Sequence, residues 1–217
     1  MTRLAVFDCD GTLIDGQSSI CDAMERAFAA HGLPAPDRNA VRRAVGLSLP
    51  QAVRTLAPEL PADTQRDLVD AYKQAFRAAR EAGVLVQPLF EGMRALLDDL
   101  RGAGWLLAVA TGMSERGLLH CLATHELSGY FISLQTADHH PSKPHPAMLE
   151  AALADAATPA AMAVMIGDTA YDMQMARDAH VPAIGVDWGY HHPDELRAAG
   201  AEFVAATPAA LGAYLLR

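Results

Sequence analysis

Short apolar runs recur along the chain, each stopped by Gly, Asp or Pro: LAVF (4–7), WLLAVA (105–110), YFISL (130–134), MAVMI (162–166) and PAIGV (182–186). Uninterrupted runs of this kind predict strands buried on both faces. Between the later runs, apolar residues return every three or four positions, predicting helices over 91–104, 114–125, 145–156 and 169–180. Ser114 and Thr169 suit helix N-caps, and Pro146 suits a first helical turn. Strands alternating with helices predict an α/β fold, a doubly wound parallel sheet covered on both faces.

One region breaks this rhythm. From about Gly16 to Val86 there is no strand-like run. Helical patterns follow one another instead, over 18–32, 38–45, 49–57 and 62–82, punctuated by Pro34, Pro36, Pro58 and Pro61. The pattern predicts a small all-helical cap at 16–86, inserted after the first strand of a core formed by 1–15 and 87–217.

A chain of 217 residues is long enough for this division. A net charge of −9 argues against non-specific nucleic-acid binding, which needs clustered cations. The chain holds two lysines, Lys73 and Lys143, so the place of each matters. LAVF is too short for a secretory signal, and no stretch approaches the roughly 20 apolar residues of a membrane span. Cys9, Cys21 and Cys121 are odd in number and widely spaced, which suits reduced thiols. A cytoplasmic protein without membrane partners, monomeric or weakly dimeric, is expected.

The first strand runs into Asp8 and Asp10, two like charges separated by one residue. Such a pair needs a cation or hydrogen-bond donors to offset its repulsion. Ligands of open parallel sheets bind at the carboxyl ends of strands. Four polar clusters fall there: Asp8–Thr12, Thr111–Gly112, Ser142-Lys143-Pro144 and Gly167–Asp172. Together they supply acids, a hydroxyl, glycine backbone and one ammonium, the composition of a Mg²⁺-dependent phosphoryl-transfer site. Asp8 and Asp168 could hold the ion, with Asp172 steering a coordinated water.

The ordered set DCDGT, TG, KP and GDTAYD resembles the haloacid dehalogenase superfamily over nearly the whole chain. The helical insert, with TLID and later VGLSL, is similar to the phosphoglycolate phosphatase-like branch. The resemblance implies a Rossmann-like core and hydrolysis of a small phosphorylated metabolite with Mg²⁺. It makes Asp8 the nucleophile that becomes an aspartyl-phosphate, and Asp10 the general acid and then base. The Asp10 backbone carbonyl joins Asp8 and Asp168 as metal ligands. Thr111 and the Gly112 N–H hold phosphoryl oxygens, Lys143 neutralises charge, and Asp172 supports the metal directly behind its ligands or through water. Gly46 and Ser48, in the loop VGLSL, are candidates for the cap's substrate contact.

Other activities of the superfamily fit less well. Dehalogenases need no acid at the position of Asp10 and no metal, and phosphonatases need a cap lysine. The only cap lysine is Lys73, on the long helix and away from the loop expected to face the site. Sugar-phosphate mutases of this branch carry basic residues beside the cap glycine, where this chain has Val45 and Leu47. A non-turnover phosphate-binding or signalling module lacks a helical insert after its first strand. Phosphoglycolate phosphatases usually read threonine-asparagine-lysine where this chain reads Thr111-Gly112-Met113. The uncharged VGLSL loop therefore suggests a small or partly apolar monoester. His139-His140 and His191-His192 are expected in surface loops, Met162, Met165, Met173 and Met175 in the core, and Cys9 packed away from its acidic neighbours. Arg38, Arg42 and Arg43 are expected on a solvated helix face.

Overall fold

Strand β1 (Leu4–Phe7) is wholly buried and splits the interior by simple alternation. Ala5 and Phe7 face one apolar cluster and Leu4 and Val6 the other. The computed structural model describes residues 3–217. β2 (Leu106–Thr111) and β4 (Ala163–Gly167) flank β1, β3 (Ser133–Thr136) lies outside β2, and β5 (Ala183–Val186) and β6 (Phe203–Ala205) follow β4. Every pairing is parallel, in the order β3-β2-β1-β4-β5-β6. The chain switches direction across the sheet at β1, so the mouth of its crevice lies beyond Phe7.

Four helices separate β1 from β2: α1 (Gln17–Ala30), α2 (Arg38–Ala44), α3 (Leu49–Leu56) and α4 (Ala62–Glu81), followed by α5 (Met93–Gly102) on the sheet. The first four bury a cluster of their own, with Met24, Phe28, Val53 and Leu68 inside. α5 packs with α6 (Glu115–Thr124) and α10 (Pro208–Leu215) on one face of the sheet; α7 (Ala147–Asp155), α8 (Ala170–Asp178) and α9 (Pro193–Ala199) cover the other. Among the described residues no helix is long and apolar enough to cross a membrane.

The predicted elements lie within a few residues of the observed ones, with instructive exceptions. The run YFISL becomes strand only from Ser133, because Tyr130 closes a turn onto Leu127 and its hydroxyl donates to Asp98. As an edge strand, β3 tolerates polar members, and Ser133 and Gln135 share Asp155 Oδ2. β6 and the helices α9 and α10 extend the fold beyond the last predicted strand. β6 has three residues, too few to show a period. Met165, Met173 and Met175 are buried as expected, whereas Met162 is half-buried in a single 3₁₀ turn (Ala160–Met162).

Leu68, fully buried on α4, tests the helical cluster. Leu68→Ala should destabilise the protein by about 2–5 kcal/mol, read as a lowered urea midpoint. A shift worth less than about 1 kcal/mol would show that the cluster is not closely packed there.

Candidate active site

Beyond β1, Asp8 N–H donates to Ile166 O at 2.9 Å, so the sheet still holds the chain where the first acid emerges. The Cys9 carbonyl then accepts from Thr12, Leu13 and Ile14 at 3.2, 2.8 and 3.1 Å, which curls the backbone tightly. Gly11 sits in this turn at φ +86°, and a Cβ there would lie 2.2 Å from Asp168 Oδ2. Cys9 points into the core beside Cys121, so it packs as its alternation with the acids requires.

β4 delivers the second acid. Asp168 Oδ1 accepts from Thr12 Oγ1 and Oδ2 from Tyr190 N, both at 2.9 Å. Thr169 caps α8, and Asp172 closes the capping box by accepting Thr169 N and Oγ1 at Oδ2 (3.1 and 2.7 Å). Asp172 Oδ1 accepts from Lys143 Nζ at 2.6 Å. The same ammonium lies 2.9 Å from Asp8 Oδ1, as an ion pair outside hydrogen-bond geometry. Asp8 Oδ2 has no protein partner. Asp8, Asp168 and Asp172 are buried, and each offers a carboxylate oxygen within 4.8 Å of the others'.

Three buried acids thus share one buried ammonium. Burial pushes the Asp8 carboxyl up to about 6, Lys143 pulls it back, and Asp172 adds to the rise. Burial and then the charge of Asp8 push Asp10 up to about 7. Burial, Asp8 and Asp172 hold Asp168 well above the carboxylate range. Burial draws Lys143 down, but Asp172 and Asp8 more than restore it, so it stays an ammonium. An uncompensated group of hard oxygen donors is a fit for a divalent cation, and Asp8 keeps an oxygen open that could join in holding one.

Thr111 ends β2 in full burial, its Oγ1 accepting from Met113 N at 3.2 Å. Gly112 follows. A Cβ on Gly112 would lie 2.5 Å from Leu47 O and 2.7 Å from Gly46 O, so only bare backbone fits. Gly46 itself has φ +94°, with Thr169 Oγ1 3.2 Å from where its Cβ would be. Ser48 N donates to Ser142 Oγ at 2.8 Å. The loop between α2 and α3 is thereby seated on three of the strand-end clusters at once.

Above them lies a cavity of about 510 Å³. Asp8, Asp10, Thr111 and Gly112 line one side, and Gly46 and Ser48 another. Lys143, Asp168 and Asp172 stand behind Asp8, outside the lining.

The sequence profile of the haloacid dehalogenase-like hydrolases matches residues 5–186. This chain belongs to that family. The hydrolase is 37% identical over 212 residues to the probable phosphatase IndB of Dickeya dadantii, covering 95% of this chain and 90% of the relative. It is 27% identical over 215 residues to a phosphoglycolate phosphatase of Vibrio parahaemolyticus, covering 94% and 91% of the two chains. Among solved structures, a predicted phosphatase from Clostridium acetobutylicum superposes with a TM-score of 0.89 at 25% identity, over 100% of this chain and 99% of that one.

Some expectations for the hydrolase need correction and others need extension. His191 is buried, not on a surface loop; its Nδ1 accepts from Ala170 N and its Nε2 lies 3.2 Å from Arg43 O. Arg43 is exposed on α2, as expected, and there it also pairs with Glu195 on α9 at 2.6 Å, which ties α2 to the sheet's helices. Lys73 lies on α4, away from the loop between α2 and α3 as expected, and it also lines the cavity. Its ammonium is exposed and 4.0 Å from Asp70, without the desolvation that a Schiff-base lysine uses. The segment after β5 was missing from the expected site. There Trp188 Nε1 donates to Thr12 O, and Gly189 passes so close that a Cβ would lie 2.1 Å from Asp168 Cβ. Its position just past the carboxyl end of a predicted strand was the available signal.

The folded-state pKa of Asp8, about 6, lies above its unfolded value, so ionising it at pH 7 favours the unfolded chain. Asp8→Asn should therefore raise the urea-unfolding stability of the chelated protein at pH 7, by about 1–3 kcal/mol. A lowered stability would show that the carboxylate is compensated by the protein alone.

Proposed function

We propose that this hydrolase is a Mg²⁺-dependent phosphatase that opens a small phosphate monoester through an aspartyl-phosphate on Asp8. The observation that carries the reading is the buried Asp8 carboxylate with a free oxygen, aimed into a cavity and backed by Lys143. Phosphatases related over nearly the whole chain support it.

Asp8, the Asp10 carbonyl and Asp168 would hold the ion. When bound, it offsets the negative charge of the acids and of the phosphoryl group. An Asp8 oxygen attacks phosphorus, the bond to the ester oxygen breaks, and Asp10 gives that oxygen its proton. Asp10 then takes a proton from the water that attacks the aspartyl-phosphate, which frees phosphate and restores Asp8. A carboxyl pushed up to about 7 is suited to both transfers. Thr111 Oγ1 and the Gly112 N–H orient phosphoryl oxygens, and Lys143 balances their charge. Asp172, held by Thr169 at one oxygen and by Lys143 at the other, fixes where that ammonium sits.

Residues 16–86 form a cap that acts as a lid. Its two connections lie side by side: Asp15 N donates to Pro88 O at 2.8 Å, and Ser19 Oγ both donates to Val86 O and accepts from Val86 N at 3.0 Å. Paired connections permit a hinge while the cap keeps its own core. Ser48 occupies the N-cap position of α3, yet its hydroxyl makes no capping bond and remains available at the cavity wall.

Chelation should abolish turnover of an aryl phosphate, and Mg²⁺ should restore it; rapid-quench labelling should place phosphate on Asp8. Full activity in chelator would remove the metal from the scheme. Asp10→Asn should lower kcat by a factor of about 10² to 10⁴, with the label still able to form. An unchanged kcat would exclude Asp10 as the proton carrier.

A further inference from the structure

The cavity is not electrostatically uniform. Asp8 and Asp10 line it beyond β1, and Asp138 lines it near the start of α6, its Oδ2 accepting from Glu115 N at 2.8 Å. Four cations, Lys73, Arg77 and Arg80 from α4 and Arg116 from α6, line other parts of it. The spacing 73, 77 and 80 puts the first three on one face of α4, a face they share with Tyr72 and Phe76. Tyr72 is near the acids, since burial and then the charge of Asp10 push its phenol up. Phe76 stacks beside it, with ring centroids 5.7 Å apart. Eight residues separate Tyr72 from Arg80, or about 12 Å along the helix axis.

Arg116 comes from the sheet side, in the first turn of α6, and Arg77 and Arg80 come from α4. Burial, then Arg116, then Arg77 lower the pKa of Arg80, and Glu81 offsets less than either arginine does. The same pair, Arg80 and Arg116, adds to the effect of burial in lowering His120. Among the described residues no carboxylate lies within ion-pair distance of Arg77, Arg80 or Arg116. The Arg80 Nε is buried and has no partner. Arg77 and Arg116, both exposed, and the half-buried Arg80 line one cavity, Arg80 with a buried donor that has no partner, and an anion among them would offset their mutual repulsion.

We propose that Arg77, Arg80 and Arg116 form a second anion site, so that the substrate is an elongated phosphate monoester with a carboxylate or second phosphate at its far end. This rests on the reading of Asp8 as the phosphate end. The middle of such a substrate lies along Tyr72 and Phe76, and its far anion joins α4 to α6. The charge absent from the loop containing Ser48 is supplied by these helices. A two-carbon phosphate is too short to reach both ends.

The test compares hexyl phosphate, 6-phosphonooxyhexanoate and hexane-1,6-diyl bisphosphate as substrates of the Mg²⁺-loaded protein. Calorimetric binding of hexylphosphonate and its 6-carboxy analogue provides a readout independent of turnover. Either anion-ended substrate should exceed hexyl phosphate in kcat/KM by tenfold or more, and the better of the two identifies the distal group. The carboxylated phosphonate should likewise bind at least tenfold tighter. In Arg80→Gln/Arg116→Gln these ratios should fall to about one, and Arg80→Glu should reverse them in favour of 6-aminohexyl phosphate. Equal binding and turnover of neutral and anionic probes by the unaltered protein would overturn the second site and leave the phosphatase intact. Absence of turnover for every probe, with the carboxylated phosphonate still preferred, would overturn the phosphatase reading and uphold the anion site.

Discussion

Three carboxylates and one ammonium, all excluded from water, organise the molecule. Water would screen such charges, and burial removes that help, so each must be held by something specific. Asp172 is fixed by the cap of α8, Asp168 by Thr12 and the backbone of Tyr190, and Lys143 by two of the acids. Of these three acids, Asp8 keeps an oxygen without a protein partner, as does the neighbouring Asp10. The local excess of negative charge is concentrated where a divalent ion would relieve it. Stability and chemistry therefore pull in opposite directions at the end of β1.

The sheet makes this concentration possible. Parallel pairing of β1 with both β2 and β4 brings the carboxyl ends of three strands together. Asp8, Thr111 and Asp168, far apart along the chain, meet without a loop having to carry any of them far. The loops then complete the site by close approach. Gly11, Gly112 and Gly189 each lie where a Cβ would collide with a neighbour, and the neighbours are Asp168 or the backbone near Gly46. A methyl group at any of them would displace a functional group or the helical layer.

The helices between β1 and β2 do more than cover the crevice. They bury an apolar cluster of their own, while Ser48–Ser142 and Arg43–Glu195 join them to the sheet layer by contacts at the surface or partly buried. Such exposed ion pairs are weak, in the range of about 0–1 kcal/mol. They can register the two layers without locking them. The cavity between the layers is lined by both acids and cations, with Tyr72 and Phe76 among them.

Much of this was legible in the residues. Buried parallel strands reveal themselves as unbroken apolar runs, and helices as a three-to-four residue period, so β1, β2, β4, β5 and eight helices were readable. The acids Asp8, Asp10, Asp168 and Asp172, with Thr111 and Lys143, could be found because strand ends are marked by abrupt polarity. What remained hidden depends on side chains distant in sequence. The displaced start of β3 depends on a turn at Tyr130, and β6 is too short for a period. His191 looked like a loop residue because its burial comes from Arg43 and Ala170, which the sequence places elsewhere. Lys73, Arg77 and Arg80 read locally as the polar face of an amphipathic helix. Sequence alone determined four of the strands, the run of helices after the first strand, and the set of acids and lysine at the strand ends, because these follow from local pattern. Only the tertiary structure decided that α4 turns its cations and aromatics toward the acids, because that orientation is set by how the helical layer packs over the sheet.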